Sequence, residues 1–231
     1  MKIVEVENGL SQLAVSPSGR VSKRTETTCT CWQMFIDSLS PAADVTLRRS
    51  QPSDADAIFR LWQLCHTPGS PHSLLPPPPI DTVRSLFADL LSVVAVTPSK
   101  EGEDIVGFVS ANTAQHHFNL TAPPLVAAQQ AFPSAAGTGA FLVGPVAVHE
   151  SYRGSGLFLR LHSELRKELG LENSRLKLDK DGMRWDLGVV MINKANIPSV
   201  KAHGKLPGLA PCASFSCEAN GANYTLLSFN L

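Results

Sequence analysis

Apolar side chains recur from about residue 45 to the C-terminus in short blocks, alternating between the spacing of strands and that of helices. Runs of β-branched and aromatic residues predict strands, and apolar residues three or four apart predict helices. The predicted strands are Val45–Arg49, Val93–Thr97, Ile105–Asn112, Phe141–Val148 and Trp185–Met191, with a closing hairpin that turns at Asn220-Gly221 and ends with Tyr224–Asn230. The predicted helices start at Ser53 (as N-cap), Asp81, Leu157 and Asn196. The predicted element order is therefore β-α-α-β-β-β-α-β-α-β-β.

Two segments do not follow this pattern. Residues 1–43 are weakly periodic and rich in Ser, Thr, Lys and Arg between Ser16 and Thr30, which predicts an N-terminal extension that is partly disordered or loosely packed. Ala114–Ala140 is too long for an ordinary connection, so we expect a mobile segment, a substrate lid or an interaction loop. Residues 44–231 are predicted to form one domain.

Composition narrows the function classes. The 231 residues include 20 basic and 20 acidic side chains, which cancel and favour neither nucleic acid nor a membrane surface as partner. No apolar run approaches the roughly 20 residues that span a bilayer. The N-terminus lacks the apolar core of a signal peptide and the 5 cysteines are scattered, which favours reduced thiols and a cytoplasmic protein. Cys29 and Cys31 have no second ligand pair, so no metal site is predicted.

The most informative local feature is a glycine-rich turn between the predicted strand Phe141–Val148 and the helix that starts at Leu157. Its sequence is Arg153-Gly154-Ser155-Gly156. Backbone N–H groups converge at such a turn, the helix dipole adds partial positive charge, and an arginine suits a pyrophosphate. Leu159 stands where a dinucleotide loop needs its third glycine, and no Gly-Lys-Ser/Thr occurs at this turn. The turn therefore predicts a site for a different phosphate-bearing ligand.

Two motifs resemble the GCN5-related N-acetyltransferases. Val146-Ala147-Val148 followed by Arg153–Phe158 is similar to their strand and pyrophosphate loop, although Phe158 replaces a small residue. About forty residues on, a strand is followed by Asn196, Ser199, His203 and Lys205, which match a second recurring pattern of that family. The chain departs from this pattern at Leu206–Leu209, where one residue is inserted.

The resemblance implies a mixed α/β (α+β) fold with a mostly antiparallel sheet, splayed between strands 4 and 5 and flanked by about four helices. It implies acetyl-CoA in the splay and transfer of its acetyl group to a primary amine of a small molecule, amino acid or peptide by direct attack in a ternary complex. A homodimer through the closing hairpin is compatible with it. The cofactor-binding residues that it implies are Val146, Ala147, Val148, Arg153, Gly154, Ser155, Gly156, Leu157, Phe158, Asn196 and Ser199.

The resemblance also implies catalytic residues. His203 occupies the place of an acid tyrosine, and an imidazole there can protonate a thiolate. The strand Phe141–Val148 carries no carboxylate, so Asp186, Glu150, His149 and water stay open as the base. Two alternatives also stay open, a catalytically inactive acyl-CoA-binding module that acts through protein interactions and an enzyme that transfers a longer acyl group.

Overall fold

The computed structural model describes residues 44–70, 74–89, 91–100, 102–113, 126–127, 130–131, 140–176 and 187–231. The predicted N-terminal extension and nearly all of the long predicted loop lie outside these residues. The strands are β1 (Thr46–Arg49), β2 (Leu91–Ser99), β3 (Gly102–Thr113), β4 (Ala140–Val148), β5 (Leu187–Asn193), β6 (Ala210–Cys217) and β7 (Ala222–Asn230). The α-helices of the described residues are α1 (Ala55–Cys65), α2 (Ile80–Asp89), α3 (Leu157–Leu176) and α4 (Ile197–His203). The predicted element order is confirmed.

The strands form one sheet in the order β1-β2-β3-β4-β5-β7-β6. Neighbours pair antiparallel except β4 and β5, which are parallel and pair only over Ala140–Leu142 and Leu187–Val189. Beyond these residues β4 continues to Val148 and β5 to Asn193, but the two strands no longer pair with each other. The predicted mixed fold with a splay between strands 4 and 5 is confirmed.

Helices cover both faces of the β1–β4 half of the sheet. On one face α3 buries a leucine stripe against residues of β2, β3 and β4; the stripe consists of Leu157, Leu161, Leu165 and Leu169. On the other face α1 and α2 pack around Phe108, whose ring lies 6.1 Å from the Trp62 ring and 6.0 Å from the Phe87 ring. Successive residues of β2 alternate between the two cores, as Val93 and Val94 do, which is the period of a strand buried on both faces.

A β-bulge in β4 sets which residues face α3. Gly144 and Pro145 lie opposite the single residue Ser110 of β3, between the pairs Val143–Ala111 and Val146–Val109. The extra residue shifts the alternation, so that Val146 and Val148 pack against the α3 core while Ala147 joins the α1–α2 core. The last residues of β4 thereby pack their side chains against the two cores and keep one backbone edge available.

Among the local predictions, one helix cap and several strand ends need correction; β2 and β3, for example, both begin earlier than predicted. Ser53 is not an N-cap, because Pro52–Asp54 forms a 3₁₀ turn and the buried Asp54 carboxylate accepts hydrogen bonds from the Gln51 N–H (2.7 Å) and from Arg48 Nη1 (2.7 Å). The fifth strand is described from Leu187 to Asn193, two residues further along than predicted at its C-terminal end. None of the described helices is both long and apolar enough to cross a membrane.

Candidate cofactor and active site

The glycine-rich turn presents backbone N–H groups at the start of α3. Gly154 and Gly156 both have φ of +81°, a conformation that residues with a Cβ rarely adopt. The turn is held from within, because Ser155 Oγ donates to the Tyr152 carbonyl (2.7 Å) and the N–H groups of Leu159 and Arg160 donate to the Gly156 carbonyl (3.0 and 3.1 Å). No carbonyl of the described residues accepts from the N–H groups of residues 154–158. Such a row at a helix N-terminus is suited to an anion.

The open edge of β4 leads directly to this turn. The His149 N–H donates to the Val106 carbonyl (2.9 Å), and Ala147 is paired with Phe108. Since backbone groups of successive strand residues point to opposite edges, the N–H groups of Val146 and Val148 face the splay. The Val148 carbonyl, on the same edge, accepts from Arg153 Nε (3.2 Å). The structure thus brings Val146, Val148 and the turn together, but it turns the backbone of Ala147 toward β3.

The second motif forms the start of α4. Asn196 is the N-cap, and its Oδ1 accepts a hydrogen bond from the Ser199 N–H (3.1 Å). This bond occupies the carbonyl end of the Asn196 amide and leaves its Nδ2 as a donor. Ser199 Oγ lies 3.2 Å from His203 Nδ1, one turn further along the helix. Asn196 and Ser199 therefore first serve to build α4 and to hold His203.

The protonation of His203 follows from its partners. Its Nδ1 lies 2.8 Å from the Ser199 carbonyl oxygen, which can only accept, so Nδ1 carries the proton and Nε2 carries a lone pair. The residue is 2 % exposed, and burial lowers the pKa of its imidazole to about 4 despite the bond to Ser199. Around neutral pH His203 is therefore a neutral ring with an acceptor at Nε2 and no proton there to donate. That it is catalytic stays a prediction.

The Phe158 ring joins the two motifs in space. It lies 4.8 Å from the His203 ring and 4.5 Å from the ring of His162, and the two imidazoles are 5.5 Å apart between centroids. His162 is 2 % exposed and was missed by sequence reasoning. The sequence feature that could have identified His162 is its position one helical turn after Phe158, on the same side of α3.

The remaining predicted catalytic residues do not gather around His203. Glu150 lies in the 3₁₀ turn Glu150–Tyr152 and is exposed, and its carbonyl accepts from the Arg153 N–H (3.1 Å). His149 Nδ1 accepts from the Ser151 N–H (3.3 Å). Asp186 lies outside the described residues. Within the described part of the chain, no group of three His, Cys, Asp or Glu side chains could hold a metal ion.

A cysteine that sequence reasoning did not assign lies beside the turn. Cys65, the last residue of α1, places its Sγ 3.9 Å from the Val148 carbonyl oxygen and 3.9 Å from Arg153 Nη2. Burial raises the pKa of this thiol above its usual range, against the opposing effect of the Arg153 guanidinium. Cys65 is therefore a neutral thiol at the wall of the site rather than a nucleophile.

No protein-family model matches the chain, and no curated protein matches it by sequence. Solved structures do match. NAA60 of Arabidopsis thaliana in complex with acetyl-CoA has 16 % identity, a TM-score of 0.52 and coverage of 81 % of this chain and 98 % of its own. The ribosomal-protein-S18-alanine N-acetyltransferase of Escherichia coli has 11 % identity, a TM-score of 0.51 and coverage of 80 % and 93 %. The NatC complex bound to Gag peptide and CoA has 13 % identity, a TM-score of 0.53 and coverage of 81 % and 99 %.

The chain has the fold of the GCN5-related N-acetyltransferases. The resemblance stated from the two motifs is thereby confirmed at the level of the fold. Within this fold, the described residues place backbone N–H donors in the glycine turn and on the open edge of β4. The N–H row of the turn suits a pyrophosphate, and the N–H groups on the open edge of β4 suit the amide carbonyls of a pantetheine arm.

Proposed function

We propose that this protein is an acetyl-CoA-dependent N-acetyltransferase that transfers an acetyl group to a primary amine by direct attack in a ternary complex. The single observation that carries the proposal is the placement of two sets of available N–H donors next to each other, on the splayed edge of β4 and in the glycine turn at the start of α3. The fold of solved structures that contain acetyl-CoA or CoA supports it.

Each part of the site has a proposed binding role. The N–H groups of Val146 and Val148 hold the pantetheine arm, and those of residues 154–158 hold the pyrophosphate. Arg153 adds positive charge beside it, since its Nε is anchored on the Val148 carbonyl while the exposed side chain stays at the mouth of the turn. Asn196 contributes the Nδ2 donor that capping leaves available. Ser199 acts through α4 and His203 rather than on the cofactor.

The site differs from the family pattern in the groups that could accept or donate a proton. When bound, acetyl-CoA supplies the activated thioester carbonyl that the amine attacks. Because β4 carries no carboxylate, the lone pair on His203 Nε2 is one candidate to accept a proton from the amine, and it can act only if acceptor binding opens a path to this buried atom. Its lowered pKa makes it a weak base, which suits removal of a proton during attack better than deprotonation of a free ammonium. Glu150 and Asp186, acting through water, are the further candidates.

The proposed acceptor is a primary amine, with peptide N-termini to be tested first. Two of the similar structures are a ribosomal-protein-S18-alanine N-acetyltransferase and a complex bound to a Gag peptide, which supports an amine on a peptide. Small-molecule amines and amino acids are tested as acceptors beside the peptides. Action in the cytoplasm and formation of a homodimer through the β6–β7 hairpin also stay proposals.

The first test is calorimetric titration of acetyl-CoA into the wild type, Gly156→Trp and Gly170→Trp. The first substitution puts an indole on the N–H row, whereas Gly170 lies 14 residues further along α3, where an added Cβ meets nothing within 4 Å. We expect binding to the wild type and to Gly170→Trp, and its loss in Gly156→Trp with the fold retained by circular dichroism. No binding to the wild type, or equal binding to all three, would contradict the proposed site.

Turnover separates an enzyme from the alternative, a module that binds acyl-CoA without reacting. The burial of His203 is the observation that favours this alternative. Acetyl-CoA is incubated with a library of peptides and small amines, and thiol release is followed. Release that requires an amine and is lost in Gly156→Trp supports the enzyme. Binding without release with every amine would favour the module, and tighter competition by longer acyl-CoA thioesters would favour another acyl donor.

A further inference from the structure

A buried cluster of nitrogen atoms lies between α3, α4 and the segment after α4, and begins beside the Phe158 ring. Six buried side-chain N or O atoms of the described residues lack a hydrogen-bond partner, and four of them belong to three residues. These are His162 Nε2, His203 Nε2, and both Nε and Nη2 of Arg166. Buried polar groups are normally paired, so a concentration of unpaired ones calls for a missing partner.

The guanidinium of Arg166 is fixed by two contacts, and one of its edges has no hydrogen-bond partner. Its Nη1 donates to the Pro207 carbonyl (2.9 Å), and its Cζ lies 4.2 Å from the centre of the Phe229 ring, so two sides of the guanidinium are fixed. The two unpaired atoms, Nε and Nη2, form the same planar edge. This edge carries two parallel N–H donors, the arrangement that binds both oxygens of a carboxylate or phosphate.

The cluster has positive charge, and none of the acidic side chains that the structure describes pairs with it. Arg166 forms no ion pair with any acidic side chain of the described residues. Burial lowers the pKa of its guanidinium to about 10, which leaves the group protonated at neutral pH. His162 lies one helical turn before it and is buried in its neutral form, because desolvation, and then electrostatic interactions with His203 and Arg166, lower the pKa of its imidazole. An unpaired buried cation is costly unless an anion joins it.

We propose that the Nε–Nη2 edge of Arg166 binds a small oxyanion of the carboxylate or phosphate type. The anion neutralises the buried guanidinium and accepts two parallel N–H bonds. His162, in the tautomer with a proton on Nε2, offers a neighbouring donor on the same side of α3. Because Arg166 already bonds to Pro207, the bound anion would strengthen the link between α3 and the segment that follows His203.

The experiment compares the wild type with Arg166→Met and Arg160→Met. Arg160 is on the same helix and donates to the Val45 carbonyl (3.1 Å), so its removal controls for the loss of one arginine. Thermal unfolding is followed with inorganic phosphate or acetate, at ionic strength matched with chloride. At ten times the half-saturating concentration, linkage raises the folding equilibrium constant about 11-fold, a rise of about 3–6 °C in Tm for a chain of this size.

We expect this rise in the wild type, in Arg160→Met and in Gly156→Trp, and its loss in Arg166→Met. Phosphate binding at the glycine turn would instead be lost in Gly156→Trp. An equal rise in all variants would show only the general stabilisation by excluded salts and would overturn the site. Where Arg166→Met does not fold, the Arg166 Nε–H resonance of the wild type decides. It should move in a saturable way with phosphate or acetate, and an unmoved resonance would assign the edge to water.

Discussion

His203 makes the stability of this protein depend on pH in a defined direction. Burial lowers the pKa of its imidazole from 6.5 to about 4 in the folded chain. Below pH 6.5 the unfolded chain therefore takes up a proton that the native state excludes. The free energy of unfolding must fall as the pH drops from about 6.5 to about 4, and the loss is complete below the lower value.

The size of the effect follows from the difference between the two pKa values. At 1.36 kcal/mol per pH unit, the change from 6.5 to about 4 corresponds to about 3 kcal/mol. Because the side chain is only 2 % exposed, solvent screening reduces this value little. His162 adds a loss in the same direction, so the effect of His203 has to be isolated by substitution.

The matched variant is His203→Phe, which keeps a ring against Phe158 and His162 but removes the titrating group. Urea unfolding, followed by tryptophan fluorescence at pH values from 7.5 to 4, gives the free energy of unfolding of both proteins. At pH 7 we expect the variant to lose about 1 kcal/mol, for the hydrogen bond to Ser199. Its curve should then be flatter than that of the wild type by about 3 kcal/mol across the window.

Two results would refute this reasoning. Parallel pH curves for the wild type and His203→Phe would show that His203 does not exclude the proton in the folded state. An imidazole resonance of His203 that titrates near pH 6.5 would show the same by a second route. In either case Nε2 would be reachable by water, and the original assignment of His203 as a proton donor would again be tenable.

Three further predictions concern the scaffold of the site. Gly188→Ala should lower the free energy of unfolding by about 2 kcal/mol or more, measured as a fall in Tm. The reason is that an added Cβ would overlap the Phe229 ring, where β4 and β5 pair. Asn196→Ala removes the cap of α4 and should cost about 1 kcal/mol in urea unfolding while also weakening acetyl-CoA binding in calorimetry. Arg48→Met should cost about 1–2 kcal/mol at pH 7. Although burial alone would raise the pKa of the Asp54 carboxyl, hydrogen bonds from Arg48 and the Gln51 N–H lower it, so this cost should vanish as acid protonates the group.

The glycine turn could be predicted from sequence because its chemistry is encoded locally. Arg153, Gly154 and Gly156 stand between a strand pattern and a helix pattern, and each element is specified by residues within a few positions. The element order was also predictable for this reason. The role of Val146 and Val148 was implied by the resemblance, and the structure places their N–H groups on the open edge of β4.

Features that depend on distant partners could not be predicted. Ser53 looked like a cap, but Arg48 on the preceding strand and the Gln51 N–H instead bind the Asp54 carboxylate and start the helix differently. The proton on His203 Nδ1 depends on which atom of Ser199 it meets. Likewise, the unpaired edge of Arg166 exists only because the segment after α4 takes the other end of the guanidinium. No local pattern encodes these contacts.

Two of the departures of this chain from the acetyltransferase pattern form one structural feature. Phe158 stands where the motif has a small residue, and His203 stands where many relatives carry an acid tyrosine. In the folded chain the two rings lie 4.8 Å apart, with His162 against both. A phenyl ring at 158 fills the space beside the shorter imidazole, and the apolar surroundings that it provides keep that imidazole neutral. The large residue and the neutral histidine are therefore mutually dependent. They count as a single change in proton handling, and not as two independent signs that the turn has lost its ligand.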